Sequence, residues 1–298
     1  MNTNKITLVA IIATILASCS KNNGNFDASG NFEATEIIIS SQATGRIMEF
    51  NLEEGSVLEA NKQVGYVDTV QLHLKKVQLQ ASLKAVDSRL YNVSKQIASI
   101  NQQISKQKTE LQRYENLVQS NAANQKQVDD INAQILLLQK QLAAQTETLE
   151  NSNRSISGES AAMVAQIKQI EDLINKSIIY SPIKGTVLSK YAERGEVTTQ
   201  GKALFKIADI ENMFLRAYIT SDQISQIKIG QSVTVFADFG EKNMKEYSGT
   251  VTWISDKAEF TPKTIQTRNE RANLVYAIKI AIKNDGYIKI GMYGGVNK

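Results

Sequence analysis

Reactive side chains are scarce in this sequence, and the two types that most often carry out chemistry occur once each. Cys19 is the only cysteine and His73 the only histidine among 298 residues. A metal site or an activated thiol built from Cys and His needs more than this pair can supply. His73 lies at the foot of a predicted helix, where we expect a solvated side chain rather than a general base. The Asp and Glu residues are scattered and no Gly-rich phosphate loop occurs, so we expect neither a cofactor nor a catalytic site.

Cys19 follows a segment typical of a secretory signal peptide. Residues 1–18 contain Lys5, then an apolar run over residues 6–16 that is too short to span a bilayer, then small residues. The sequence Leu-Ala-Ser-Cys at 16–19 resembles the lipobox of bacterial lipoproteins, which implies that Cys19 is lipidated and becomes the mature N-terminus. A plain signal peptide with a chance cysteine is the alternative. Residues 19–29, rich in Asn, Gly and Ser, would then form a lipidated tether.

One segment of the chain occurs twice. Residues 41–68 align without a gap with residues 181–208, and the matched positions include Ser41/Ser181, Gly45/Gly185, Glu53/Glu193, Gly55/Gly195, Val57/Val197 and Lys62/Lys202. A β-unit this small cannot bury both of its faces, so we expect the two copies to pack on each other. Its matched glycines are predicted to occupy structural turns: Gly45, Gly55, Gly185 and Gly195. The chain between the copies must leave and return to the same place.

Residues 69–176 predict a long antiparallel helical hairpin that meets this requirement. Apolar residues step by four and three over residues 79–118, and a second such series runs over residues 128–174. Each arm, at 1.5 Å per residue, would be a rod of about 75 Å. An intermolecular coiled coil or a plain spacer is the alternative.

Two local features of this hairpin are predicted. The Asn-Ala-Ala-Asn sequence within residues 119–125 suits a tight turn between the arms, with Asn121 or Asn124 at positive φ. The second apolar series weakens over residues 151–158, which are poor in helix formers. We therefore expect a bend in the second arm.

Residues 211–298 predict a small β-barrel or sandwich, to which residues 30–40 would add a strand. Period-two or β-branched segments suggest strands at 213–219, 232–236, 249–254 and 274–282, and residues 224–229 suggest a short helix. The net charge of +4 is small and dispersed, which does not favour nucleic-acid binding.

The order of these parts resembles the HlyD-type periplasmic adaptors, also called membrane fusion proteins. The resemblance rests on Ala-Thr-Gly-Arg-Ile at 43–47, Ser-Pro-Ile-Lys-Gly-Thr-Val at 181–187, Gly-Glu-Val at 195–197, Phe-Thr-Pro-Lys-Thr-Ile-Gln-Thr at 260–267 and Gly-Met at 291–292. It implies an α+β fold in which a lipoyl-like β-domain, split into residues 41–68 and 177–210, is interrupted by the coiled-coil hairpin and followed by the small β-barrel. True lipoyl and biotinyl carriers hold a modified lysine at the turn joining their halves. Here the hairpin is inserted at that turn, after Asp68.

The resemblance extends to the predicted hairpin tip. Adaptors that dock on TolC-like outer-membrane ducts carry Arg, Leu and Ser there, and this chain has Arg113, Leu117 and, at the third position, Asn124. Arg113 and Leu117 lie on one helix face, outside the strict apolar seam. The alternative is that Leu117 belongs to the core of the hairpin and Arg113 is solvated.

The resemblance also implies the partners. An adaptor of this kind forms a homo-oligomeric ring in the periplasm of a Gram-negative bacterium, between an inner-membrane transporter and a TolC-like channel. In the family, many adaptors of RND pumps continue past the barrel into a membrane-proximal domain. This chain stops soon after Tyr293, so the resemblance favours an ABC-type transporter over an RND pump. The lipid anchor would lie in the outer face of the inner membrane. Two other classes are an enzyme subunit carrying lipoate or biotin, and an envelope lipoprotein that acts as a scaffold or spacer without a transport role.

Overall fold

The computed structural model describes residues 26–238, 244–260 and 274–297, which form an α+β fold. The signal peptide, Cys19 and the first part of the tether lie outside the described residues, as do residues 261–267 of the resemblance. The elements are β1 Ala28–Ser40, β2 Gly45–Phe50, β3 Val57–Leu58, β4 Gln63–Val67, α1 Val70–Asp87, α2 Val93–Gln119, α3 Gln125–Lys176, β5 Ile178–Tyr180, β6 Gly185–Lys190, β7 Val197–Thr198, β8 Ala203–Thr220, α4 Ser221–Ile224, β9 Ser232–Asp238, β10 Met244–Ile254, β11 Glu259–Phe260, β12 Leu274–Lys283 and β13 Tyr293–Asn297.

The two copies of the repeated segment pack on each other and exchange equivalent hydrogen bonds. We call residues 41–68 half-unit 1 and residues 177–210 half-unit 2. The amide of Gly55 donates to the Val187 carbonyl at 2.8 Å, and the matched amide of Gly195 donates to the Ile47 carbonyl at 2.8 Å. Short strands cross between the copies, with β2 paired to β7 and β3 to β6. Both halves contribute to one apolar core, which contains Ile47, Leu58, Val67, Val187, Leu204 and Ile207.

The turns of the half-units also match. Gly55 and Gly195 have φ of 84° and 94°, the left-handed region that glycine occupies without a steric penalty. Ser41 and Ser181 are both buried, and their hydroxyls donate to the carbonyls two residues onward at 2.7 and 2.8 Å. Each copy of the sequence therefore folds its backbone in the same way.

Strands β1 and β8 run through both β-structures and join them. Along its first part β1 pairs with the end of β8, and after a register shift between Ala34 and Thr35 it pairs with the start of β8 beside half-unit 2. Among the described residues, β1, β8, β12, β10, β9 and β13 pair in that order, and β13 pairs back to β1, which closes a barrel. Its core includes Phe32, Met213, Leu215, Ile219, Val235 and Ile280. The strand β1 begins at Ala28, within the segment predicted as tether.

The hairpin has one continuous arm and one interrupted arm. Helix α3 is unbroken, and α1 and α2 both pack along it. Apolar side chains between the arms are buried at Val86, Ile104, Val128, Ile135, Leu138, Leu149 and Ile167. The two ends of the hairpin lie side by side, because the half-units to which they are joined are hydrogen-bonded there. The Val67 amide of half-unit 1 donates to the Ser177 carbonyl of half-unit 2 at 2.8 Å.

The interruption of the hairpin lies in the first arm, at residues 88–92, whereas the second arm, where a bend was expected at residues 151–158, is one continuous helix. Asn153 on α3 accounts for the position of the interruption. The Tyr91 amide donates to Asn153 Oδ1 at 2.8 Å, and Asn153 Nδ2 donates to the Tyr91 carbonyl at 2.8 Å. This side chain satisfies backbone groups that the break leaves without helical partners. An ion pair between Arg89 and Glu159 lies beside it.

The short helix predicted at residues 224–229 is also misplaced, since α4 spans Ser221–Ile224. Thr220 precedes it in extended conformation, and the Thr220 amide donates to Gln223 Oε1 at 2.9 Å. This contact is the reciprocal half of a capping box, and it fixes where the helix begins. The apolar residues 224 and 227 instead pack against the end of the barrel core.

Candidate docking site at the hairpin tip

The tip of the hairpin is a tight turn held by asparagines. Asn121 adopts φ of 56°, and its amide donates to the Val118 carbonyl at 3.0 Å. Asn124 is extended instead, and its side-chain oxygen accepts from the Lys126 amide at 3.1 Å. Asparagine tolerates the left-handed region and is a favoured N-cap, so both residue types suit the roles they have here. The turn therefore ends α2 and begins α3 within a few residues.

Arg113 and Leu117 lie together on the outer face of α2. They line an open groove along that helix with Ser105, Lys108, Thr109, Gln112, Asn116 and Ser120. Arg113 is exposed, and its guanidinium lies 3.7 Å from Glu110, one helical turn away. A pair with this exposure holds the arginine only weakly, because solvent screens it. Arg113 is therefore available to a partner.

Leu117 has an intermediate environment. It is half-buried, like Tyr114 and Val118 of the predicted seam. Its carbonyl accepts from the Ala122 amide at 2.8 Å, which ties the last turn of α2 to the tip. The structure thus brings Arg113 and Leu117 onto one face, while Asn124 lies across the turn as the cap of α3.

The opposite end of the hairpin is joined to half-unit 1 at Asp68. Asp68 ends half-unit 1, and its carboxylate accepts from the Val70 amide at 2.9 Å, at the first turn of α1. His73 lies exposed on that helix. Helix α1 therefore begins directly at the end of half-unit 1.

Sites of other kinds can be assessed only for the described residues. Within residues 26–238, 244–260 and 274–297, no group of three His, Cys, Asp or Glu side chains is placed to hold a metal ion. In the same ranges, no helix has the length and apolar character needed to cross a membrane.

Sequence comparison finds relatives over nearly the whole chain. No protein-family model matches the sequence. A UPF0194 membrane protein of Yersinia pseudotuberculosis serotype O:3 is 24% identical over 324 aligned residues, which cover 98% of this chain and 97% of the relative.

Solved structures show the same fold at lower sequence identity. MacA from Actinobacillus actinomycetemcomitans aligns with a TM-score of 0.54 and 18% identity, covering 90% of this chain and 76% of that protein. The membrane fusion protein Spr0693 from Streptococcus pneumoniae R6 aligns with a TM-score of 0.54 and 15% identity, covering 90% of this chain and 96% of that protein. The chain therefore has the fold of the membrane fusion proteins, the adaptor class that its sequence resembles.

Proposed function

We propose that the protein is a lipid-anchored periplasmic adaptor that links an inner-membrane transporter to a TolC-like outer-membrane duct in a Gram-negative bacterium. The observation that carries the proposal is the split β-unit, whose halves hold both ends of one long hairpin. Such a hairpin presents its tip far from the β-structures, at the end of arms of about 75 Å. A rod held firmly at one end suits a part that bridges two membranes.

The proposed duct contact is the face of the tip that carries Arg113 and Leu117. Arginine is enriched at protein interfaces, where its guanidinium can bind carboxylates and carbonyls, and the partly exposed leucine beside it is an apolar side chain that a partner could bury. Asn124 holds the turn that positions this face, because its side-chain oxygen caps α3. The proposed role of Asn124 is therefore to fix the docking geometry.

Several copies must associate to enclose a passage, and α1 carries a surface suited to this. Its face toward α3 includes Lys76, whose ammonium lies 2.7 Å from Glu171. On another face, Val70, Leu74 and Val77 are 58%, 58% and 62% exposed. They are spaced by four and three residues, the spacing of a coiled-coil seam without a partner helix. This stripe supports a lateral contact with the next copy in a ring.

The lipid anchor is proposed at Cys19, on the sequence Leu-Ala-Ser-Cys, in the outer face of the inner membrane. The proposed inner-membrane partner is an ABC-type transporter, and an RND pump is the alternative. Affinity purification of the native crosslinked complex from membranes identifies which transporter is present. Recovery of peptidoglycan alone, without transporter or duct, would instead support the alternative function, an envelope lipoprotein that acts as a scaffold or spacer.

The tip contact is tested by Leu117→Asp and Arg113→Glu. Both substitutions should abolish co-purification of the outer-membrane duct, because one buries a charge at the contact and the other reverses a charge. Leu136→Asp is the matched control, since Leu136 is 56% exposed on α3 away from the tip and its substitution should leave the duct bound.

Circular dichroism separates folding from docking in these variants. If Leu117→Asp melts the hairpin, Leu117 is part of its core, and Arg113→Glu then decides the docking assignment. Normal recovery of the duct with folded Leu117→Asp and Arg113→Glu would show that the tip contact is wrong.

A further inference from the structure

The barrel contains the same tight turn twice, once at each end. The sequence Ile-Lys-Ile-Gly occurs at residues 227–230 and again at residues 288–291. In both copies the first isoleucine is buried in the barrel core, and the glycine has positive φ, 87° at Gly230 and 82° at Gly291. The second isoleucine, Ile229 or Ile290, lies at the apex of the turn.

The hydrogen bonds of the two turns also correspond. The Gln231 amide donates to the Lys228 carbonyl at 3.1 Å, and the Met292 amide donates to the Lys289 carbonyl at 3.1 Å. The glycine amides are tied to neighbouring strands, Gly230 to the Val251 carbonyl at 2.8 Å and Gly291 to the Phe32 carbonyl at 2.8 Å. Each apex isoleucine is thus fixed in place by the backbone.

The surroundings of the two apices differ. Ile290 lies at the end of the barrel that adjoins half-unit 2, where the Asn284 amide donates to the Glu211 carbonyl at 2.9 Å, and it is 38% exposed. Ile229 lies at the opposite end, which we call the free end because neither half-unit adjoins it. There β8 ends and α4 covers the core, and Ile229 is 67% exposed. A single exposed isoleucine is ordinary on a protein surface, but one held at the apex of a turn can be removed from water by an apolar layer that it touches, and this burial is favourable.

The free end is also where the N-terminal segment reaches the barrel. Ser29 pairs with Tyr218, close to the end of β8, so β1 enters the barrel at this end. Six residues lie between Cys19 and Phe26, the first described residue. The seven Cα–Cα steps that connect the two residues span at most about 25 Å. This step rests on the lipid anchor of the proposed function. With the lipid of Cys19 in the bilayer, the short span keeps the free end of the barrel close to the membrane surface.

We infer that the free end of the barrel contacts the membrane surface and that Ile229 inserts between the lipid headgroups. Leu274 begins β12 at the same end and is 48% exposed, so it adds a second aliphatic contact. Lys228 and Lys257 are exposed there, and so are Asp222 and Asp256. Asp27, at the start of β1, is exposed at this end as well, so the described charges there have no positive excess. Apolar insertion rather than attraction to anionic lipid therefore accounts for the contact, and a zwitterionic lipid suffices.

The test uses the full-length lipidated protein in vesicles of phosphatidylcholine that contain no other protein. A thiol-reactive, environment-sensitive fluorophore is attached to Ile229→Cys or, as the matched control, to Ile290→Cys. With the label at position 229 we expect a blue shift and quenching by phospholipid with brominated acyl chains. With the label at position 290, in the same turn at the other end, we expect neither effect.

The controls separate this inference from the proposed anchor. The unsubstituted protein should take up no label, because the thiol of Cys19 carries lipid. Cys19→Ala prepared without residues 1–18, which would otherwise remain attached as an unprocessed apolar segment, should not float with vesicles. Labelling of the unsubstituted protein, or flotation of this Cys19→Ala form, would overturn the anchor. If the labelled variants float but position 229 shows no shift, or if positions 229 and 290 respond equally, the membrane contact is wrong and the free end is left to a protein partner.

Discussion

The two half-units share their backbone hydrogen bonds but differ in the side chains they bury. Leu58 in half-unit 1 is replaced at the matched position by Thr198 in half-unit 2, and both side chains are buried. The Thr198 hydroxyl finds no hydrogen-bond partner among the described residues. The backbone hydrogen bonds of the repeat do not depend on the side chain at this position. Half-unit 2 therefore keeps the same backbone although the buried hydroxyl of Thr198 has no partner among the described residues.

Equivalent glycines of the two halves also face different neighbours. A Cβ at Gly185 would lie 2.5 Å from the carbonyl oxygen of Ala208, which belongs to the backbone of β8. A Cβ at Gly45 would lie 2.9 Å from a methyl group of Val67, and the φ of 157° at Gly45 adds some backbone strain for a residue with a side chain. A side chain can shift by a few tenths of an ångström more easily than a strand in the middle of a sheet.

The largest expected effect is the difference in stability between substitutions of the two matched glycines, Gly185 and Gly45. Gly185→Ala should lower the free energy of unfolding by about 3 to 4 kcal/mol, and Gly45→Ala by about 1 to 2 kcal/mol. Urea denaturation measures the two values, and hydrogen exchange shows where protection is lost. Both variants should lose protection in the same amides of β2 and β6, because the halves share one core. Loss confined to one half in either variant would contradict the shared core.

The next prediction exchanges the buried side chains that differ between the halves. Leu58→Thr should cost about 2 to 3 kcal/mol, since it removes apolar contacts and buries a hydroxyl. Thr198→Val should gain about 1 kcal/mol, since it replaces an unpaired hydroxyl with a methyl group of similar volume. Thermal denaturation of the two variants provides the comparison. Destabilisation by Thr198→Val would mean that the hydroxyl has a partner, such as an ordered water.

The repeated half-units could be predicted from sequence because their identities and apolar alternation coincide without a gap. The interruption of the first arm could not, because apolar spacing reports which face is buried and not which backbone groups a side chain will satisfy. Asn153 lies within the segment where the second apolar series weakens, and its amide stabilises a break in the opposite arm.

The candidate site was predictable to a similar extent. Asn121 and Asn124 suited a tight turn, but which of them adopts positive φ depends on the cap of α3. The helix face shared by Arg113 and Leu117 followed from their spacing, whereas the half-burial of Leu117 cannot be read from spacing alone. The repeated Ile-Lys-Ile-Gly turns were missed, although their identity at residues 227–230 and 288–291 is visible in the sequence.

The smallest expected effect concerns Lys184, which distinguishes the half-units because the matched position in half-unit 1 is Thr44. The Lys184 ammonium lies 3.0 Å from Glu211, so only half-unit 2 has this ion pair near the barrel. The hydrogen bond and the charge of Glu211 raise the pKa of Lys184 above its ordinary 10.5. A raised lysine pKa means that the contribution of the pair to stability is complete below pH 10.5 and is lost as pH rises through the folded-state pKa.

Lys184→Met and Lys184→Arg test this pH dependence. The small stability advantage of the wild type over Lys184→Met should disappear as pH rises past 10.5. Over the same pH range Lys184→Arg should keep its stability advantage over Lys184→Met, because an arginine side chain stays protonated there. Urea denaturation across this pH range measures the differences, and titrations of other lysines cancel between variants. An advantage of wild type that persists unchanged at high pH would show that Lys184 acts through packing of its alkyl chain, and the ion pair would then not distinguish the two halves.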